Sequence, residues 1–73
     1  MTGESGDLQR ILGRNLRAWR HARGWSQDIL AEHVGMSRTH LSAVERGQRN
    51  VRLGTVERMA QRLGVPAADL LAE

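Results

Sequence analysis

Residues 27–46 read Gln-Asp-Ile-Leu-Ala-Glu-His-Val-Gly-Met-Ser-Arg-Thr-His-Leu-Ser-Ala-Val-Glu-Arg, two short runs at helical spacing separated by Gly35. Ile29, Leu30 and Val34 give one apolar face, and Leu41 and Val44 give another. Ala31 is small where two helices must approach closely. Gly35 adopts at little cost the left-handed backbone that ends a helix. The pattern predicts two helices meeting at a sharp elbow, with the second one presented to solvent.

The rest of the chain supplies the scaffold for that elbow. A first helix is predicted over about 7–23, with Asp7 as N-cap and Gly24 as its stop. Leu8, Leu12, Leu16 and Trp19, flanked by Ile11, form its core stripe, which leaves Arg10, Arg14 and Arg17 on the opposite, solvated face. The elbow helices run over about 26–34 and 37–46, capped by Ser26 and Ser37, with Asp28 placed well for the helix dipole. A loop through Leu53 leads to a helix over about 55–63 that turns Val56, Met59, Ala60 and Leu63 inward and ends at Gly64. Pro66 suits the start of a short fifth helix over about 66–71. Residues 1–6 read as a disordered polar tail ahead of one all-α domain, 7–73, and nothing in the chain reads as a strand, linker or repeat.

With 73 residues the core is near the lower limit for a fold without cross-links or metal, so a partner copy is expected. There is no Cys, which excludes disulfides and thiolate metal sites. No apolar run approaches the roughly 18 residues of a membrane span and the start resembles no signal peptide, so no membrane association and a cytoplasmic location are expected. Five helices take up these 73 residues, so no small-molecule effector domain is expected within them. All eleven basic residues are Arg and the pI is about 11.3. Nine of them fall in two clusters: five Arg and no acid from Arg10 to Arg23, and Arg38, Arg46, Arg49 and Arg52 against Glu45 alone. Arg is the bidentate reader of phosphate and guanine, and a two-cluster basic surface fits a polyanion.

Other chemistries lack their raw material. His21, His33 and His40 are the only imidazoles, and His33 and His40 lie on different helices across a rigid turn. Neither an HExxH pattern nor a nucleophile elbow is present. No catalytic residue, metal ligand or cofactor site is therefore expected, and the chain does not read as an enzyme. Trp19 and Trp25 read as core, because with no Tyr or Phe a single-strand-binding surface of stacked rings has nothing to be built from.

From Leu12 to Leu71 the chain resembles the Cro/CI-type, XRE-like helix-turn-helix regulators. The likeness rests on Leu16-x-x-x-Arg20, Gly24-Trp25-Ser26-Gln27, Leu30-Ala31, Gly35-Met36-Ser37, Leu41-Ser42, Val44-Glu45-Arg46-Gly47, Arg49-Asn50 and Ala60-x-x-Leu63-Gly64-Val65. It implies a compact five-helix, lambda-repressor-like domain that binds double-stranded DNA with the helix over 37–46 in the major groove. On that likeness Ser37, Arg38, Thr39, Ser42 and Ala43 face bases, while Gln27, Arg46, Arg49 and Asn50 hold phosphates. Arg20 and Glu45 match a buried structural ion pair. Where many relatives have Pro-Ser after the Asn, this chain has Val51-Arg52. The Arg-Asn-Val loop and the Arg-Thr opening of the third helix are similar to the controller proteins of restriction–modification systems, an unassigned small repressor or activator being the other reading.

One recognition helix reads only about 4–6 base pairs, too few to single out one site in a genome. A homodimer on an inverted repeat is therefore expected, joined through the C-terminal helices by Val65, Leu70 and Leu71. The rival reading is an antitoxin or adaptor whose main partner is a protein. Against it, the outer face of the third helix is polar, without the apolar anchors of a protein-docking helix.

Overall fold

The computed structural model describes residues 7–73; the expected tail at 1–6 lies outside them. The order is α1 (Asp7–Ala22), α2 (Gln27–Val34), α3 (Arg38–Glu45), α4 (Leu53–Leu63) and α5 (Ala67–Leu70), with no strand among the described residues. Local chemistry sets most of the boundaries. At the end of α1 the Gly24 and Trp25 amides return to the carbonyls of His21 and Arg20. Ser26 then caps α2, its hydroxyl accepting from the Ile29 amide at 3.2 Å. Gly35 closes α2 in the left-handed conformation at φ 76°, with its own amide bonded back to Ala31. Two residues later the Ser37 hydroxyl accepts from the His40 amide at 3.0 Å and starts α3. A left-handed Gly followed at once by a Ser cap makes the elbow short and leaves it one geometry.

The core is one cluster that draws Leu12 and Leu16 from α1, Leu30, Ala31 and Val34 from α2, Leu41 and Val44 from α3, Val56, Met59 and Ala60 from α4, and Leu70 from α5. Helix α1 lies against α3 at Gly13, where a Cβ would stand 2.7 Å from the Glu45 carbonyl oxygen and would also meet that of Val44. Hydrogen at that position lets the two backbones touch, and this contact places α3 relative to the rest of the domain. On the far side, the Asn15 amide donates to the carbonyls of Leu70 and Ala72 at 2.9 and 2.8 Å. It satisfies the open C-terminal end of α5 and fastens the chain end to α1.

Several expectations change. Leu8 is 58% exposed rather than core: it stands at the rim of an apolar groove that it shares with Val51, Leu53 and Leu71. Ile29 is 42% exposed, since Leu30, Ala31 and Val34 already fill the narrow inner face of α2. Helix α4 begins at Leu53, two residues before the expected start, and Leu53 itself is 71% exposed. Pro66 stands just outside α5 as its cap rather than inside it. Trp19 and Trp25 are half-buried against the core and meet edge to face at 5.3 Å. His33 stacks on Trp25 at 4.2 Å, and the Arg23 guanidinium lies 3.7 Å over the Trp19 ring.

Candidate nucleic-acid interface

Glu45 is the buried charge on which the site is assembled. Only 4% of the residue is exposed, and a lone carboxylate there would be costly. Arg20 meets it with two parallel hydrogen bonds, Nε to Oε2 at 2.8 Å and Nη2 to Oε1 at 2.9 Å. Its remaining nitrogen, Nη1, donates to the Trp25 carbonyl at 3.0 Å. The Gln27 amide adds a third donor to Oε1 at 3.0 Å. Among the described residues no buried side-chain polar atom lacks a partner, so the network is closed. It ties α1, the α1–α2 turn, the first residue of α2 and the last residue of α3 to one point. Burial works to raise the Glu45 carboxyl, but the hydrogen bonds from Arg20 and Gln27 and the charges of Arg20 and Arg17 hold it below the ordinary carboxylate range. The same hydrogen bond raises Arg20 above its usual value, against the opposing effect of desolvation.

Fixed in this way, α3 turns a polar face outward. Arg38 and Thr39 in its first turn are exposed, Ser42 follows one turn on, and Arg46 closes the row beyond its last residue. Together with Gln27 they line one shallow cleft. Both arginines have partners within the protein. Arg38 lies 3.7 Å from Asp28 in a fully solvated pair, which holds its guanidinium in front of the α2 N-terminus at little energetic cost. Arg46 folds back along α3 to donate to the Ser42 hydroxyl at 2.7 Å and to Gln48 at 3.1 Å.

The structure sorts the residues singled out from the sequence into three groups. Ser37, Arg38, Thr39 and Ser42 share the outer face of α3, with Ser37 engaged as its cap and Ala43 half-buried at its edge. Arg49 and Asn50 stand exposed in the loop after α3, where they line a second cleft with His40 and Arg52. Gln27 lines the cleft at the α3 face, but its amide nitrogen is committed to Glu45, so it also positions the end of α3. Arg52 is an addition: its place beside Arg49 follows from the same Val51-Arg52 departure that the sequence displays. Leu70 requires a correction, for at 2% exposure it belongs to the domain's own core and presents no surface to a second copy. Val65 and Leu71 are half-buried against the same core.

This architecture is shared with known proteins. A helix-turn-helix domain family matches residues 11–73. The chain is 48% identical over 65 residues to a hypothetical transcription factor of Neisseria meningitidis, covering 89% of this chain and 61% of that protein. It thus spans about three fifths of that relative's length. It is 40% identical over 65 residues to the control protein C.SmaI of Serratia marcescens, covering 89% of this chain and 77% of that one. Among solved structures, the hypothetical transcription factor NHTF from Neisseria superposes with a TM-score of 0.82 at 43% identity, over 99% of this chain and 83% of that one. The restriction–modification controller protein C.AhdI from Aeromonas hydrophila gives a TM-score of 0.76 at 39% identity, over 85% and 94%. With an elbow built on Gly35 and Ser37, a polar α3 face and these likenesses together, the chain belongs to the XRE-like helix-turn-helix family of DNA-binding transcriptional regulators, a non-enzymatic class.

Proposed function

We propose that this protein is a sequence-specific regulator that reads an inverted-repeat operator in double-stranded DNA as a homodimer, inserting α3 of each copy into a major groove. The observation that carries the reading is the outer face of α3, whose exposed side chains are short or guanidinium groups held on an elbow that the Glu45 network keeps rigid. Arg38, in the first turn, has the reach and the fork to take guanine O6 and N7 with two hydrogen bonds. Arg46 at the end of the helix, with Arg49 and Asn50 in the loop that follows, would hold phosphates and fix the register. Likeness to C.SmaI and C.AhdI favours a role in controlling restriction–modification genes. A protein-docking role for α3 finds no support, because its outer face lacks apolar anchors at i, i+3, i+4 and i+7.

Selection from random duplexes with the purified protein gives the operator, and substitutions then separate the roles. Arg38→Ala is expected to weaken the selected site by about 1–3 kcal/mol and to relax preference at one base pair per half-site. Arg49→Ala is expected to weaken cognate and random DNA alike and to make the salt dependence shallower by about one unit. Equal losses on cognate and random DNA for Arg38→Ala would exchange the two assignments, and failure to enrich any sequence would remove the reading.

A further inference from the structure

The arginines on the outer face of α1 read from the sequence as a solvated face, yet the fold gathers them beside the end of α3. The close contact at Gly13 presses the middle of α1 on the last residues of α3. Beyond it, a Cβ on Gly47 would stand 3.2 Å from Arg10 Cα, so the first turns of α1 lie along the exit from α3. Between them is an open cleft of about 290 Å³ lined by Arg10, Ile11, Arg14, Arg17, Glu45 and Arg46. The carboxylate in it is already neutralised by Arg20. Asp7 pairs with Arg10, Arg17 reaches the Glu45 carbonyl oxygen at 3.4 Å, and Arg14 makes no hydrogen bond or ion pair among the described residues. Arg46 lines both this cleft and the cleft at the α3 face, which makes the two surfaces continuous.

We propose that the cleft between α1 and the end of α3 is a second phosphate-binding surface, in which Arg14 and Arg17, with Arg10 beyond them, hold the DNA backbone next to the groove that α3 occupies. The inference rests on the DNA-binding reading above and extends it to residues that reading leaves unused. From Arg10 to Arg17 the guanidinium row spans about 10 Å along the helix axis. That is longer than a single small anion and suits a run of phosphodiesters. Its continuity with the α3 face through Arg46 favours the same duplex as occupant over a separate acidic protein.

The test uses the full chain, a selected duplex and a random duplex, with binding measured across a salt series. Arg14→Gln and Arg17→Gln are each expected to make the slope of log affinity against log salt shallower by about 0.9 on both duplexes, while the selected sequence stays the same. Blocking individual phosphates by ethylation is expected to map contacts that disappear in the double variant and persist in Arg49→Ala. Because Arg17 touches the α3 terminus, Arg14→Gln, which alters no internal contact, decides if Arg17→Gln lowers the melting temperature. An unchanged slope and unchanged phosphate map for Arg14→Gln and for the double variant, with Arg49→Ala still losing its unit of slope, would overturn the second surface and leave the DNA reading intact. A wild-type chain that selects no DNA at all would overturn both. Loss of binding to polyglutamate without loss on either duplex would also overturn the proposal, by assigning the cleft to an acidic protein.

Discussion

At the residue scale the domain depends on Glu45, a carboxylate buried at the end of α3. A buried pair of this kind adds little over an apolar isostere, but removal of one member strands the other. Arg20→Met and Glu45→Leu are therefore each expected to cost about 3–5 kcal/mol, whereas the double replacement recovers much of the loss; a denaturant series on the three variants measures it. The pair also gives stability a pH dependence of known sign. With the folded Glu45 carboxyl held below its ordinary value of 4.5, its contribution is complete above that value and disappears as the pH falls through the lower, folded value. Melting temperature is expected to fall on acidification below about pH 4.5 and to do so less steeply in the double replacement. Equal acid sensitivity in the two proteins would place the titrating group elsewhere.

At the element scale, what could be read from the sequence and what could not divides by the range of the interaction. Ser26, Ser37, Gly24, Gly35 and Gly64 act within one turn of themselves, so the boundaries they set were visible as residue types at the right spacing. Helix α4 lacks such a signal, because Arg52 precedes it without a side-chain cap, and its first two residues read as loop. The Arg20–Glu45 pair spans 25 residues of sequence and was legible only through the family likeness, as were the phosphate contacts proposed for the loop. Nothing in the sequence disclosed Gly13 or Asn15, whose roles exist only once another element is in contact. The two helical glycines Gly13 and Gly54 make this testable. Gly54 has open space around it, so Gly54→Ala is expected to stabilise by about 0.5–1 kcal/mol through helix propensity. The same change at Gly13 drives a methyl into the α3 backbone, and a net loss of about 1–3 kcal/mol or more is expected despite the propensity gain. Thermal melts of the two variants should move in opposite directions; if both rose, the α1–α3 contact would be looser than the structure has it.

At the scale of the whole molecule the question is how a domain that carries, on the proposed reading, one recognition helix per chain would find one site. Leu70 is spent on the core, but the C-terminal end of the fold still offers apolar surface. Leu8, Val51, Leu53 and Leu71 line a groove beside the α4 N-terminus, and Leu8 and Leu53 are the most exposed large apolar side chains of the described residues. That groove, from the first turn of α1 to the end of α5, is the surface the proposed homodimer would cover, in place of one centred on Leu70. A second copy is the occupant that the proposed operator reading calls for, since two-fold symmetry would set a pair of α3 helices about 34 Å apart and the half-sites about 10–11 base pairs apart, centre to centre. Leu53→Asp is expected to leave the melting temperature of dilute protein nearly unchanged, because the side chain is largely in water. It should shift sedimentation at micromolar concentration toward monomer and reduce affinity for the full operator far more than for a half-site. Since Leu53 lies outside the two clefts at the α3 face, a loss of equal size on half-site and full operator would argue against this interface. So would a wild-type chain that sediments as monomer and binds asymmetric sequences one to one, because the proposed second copy would have no second half-site to read at a fixed spacing.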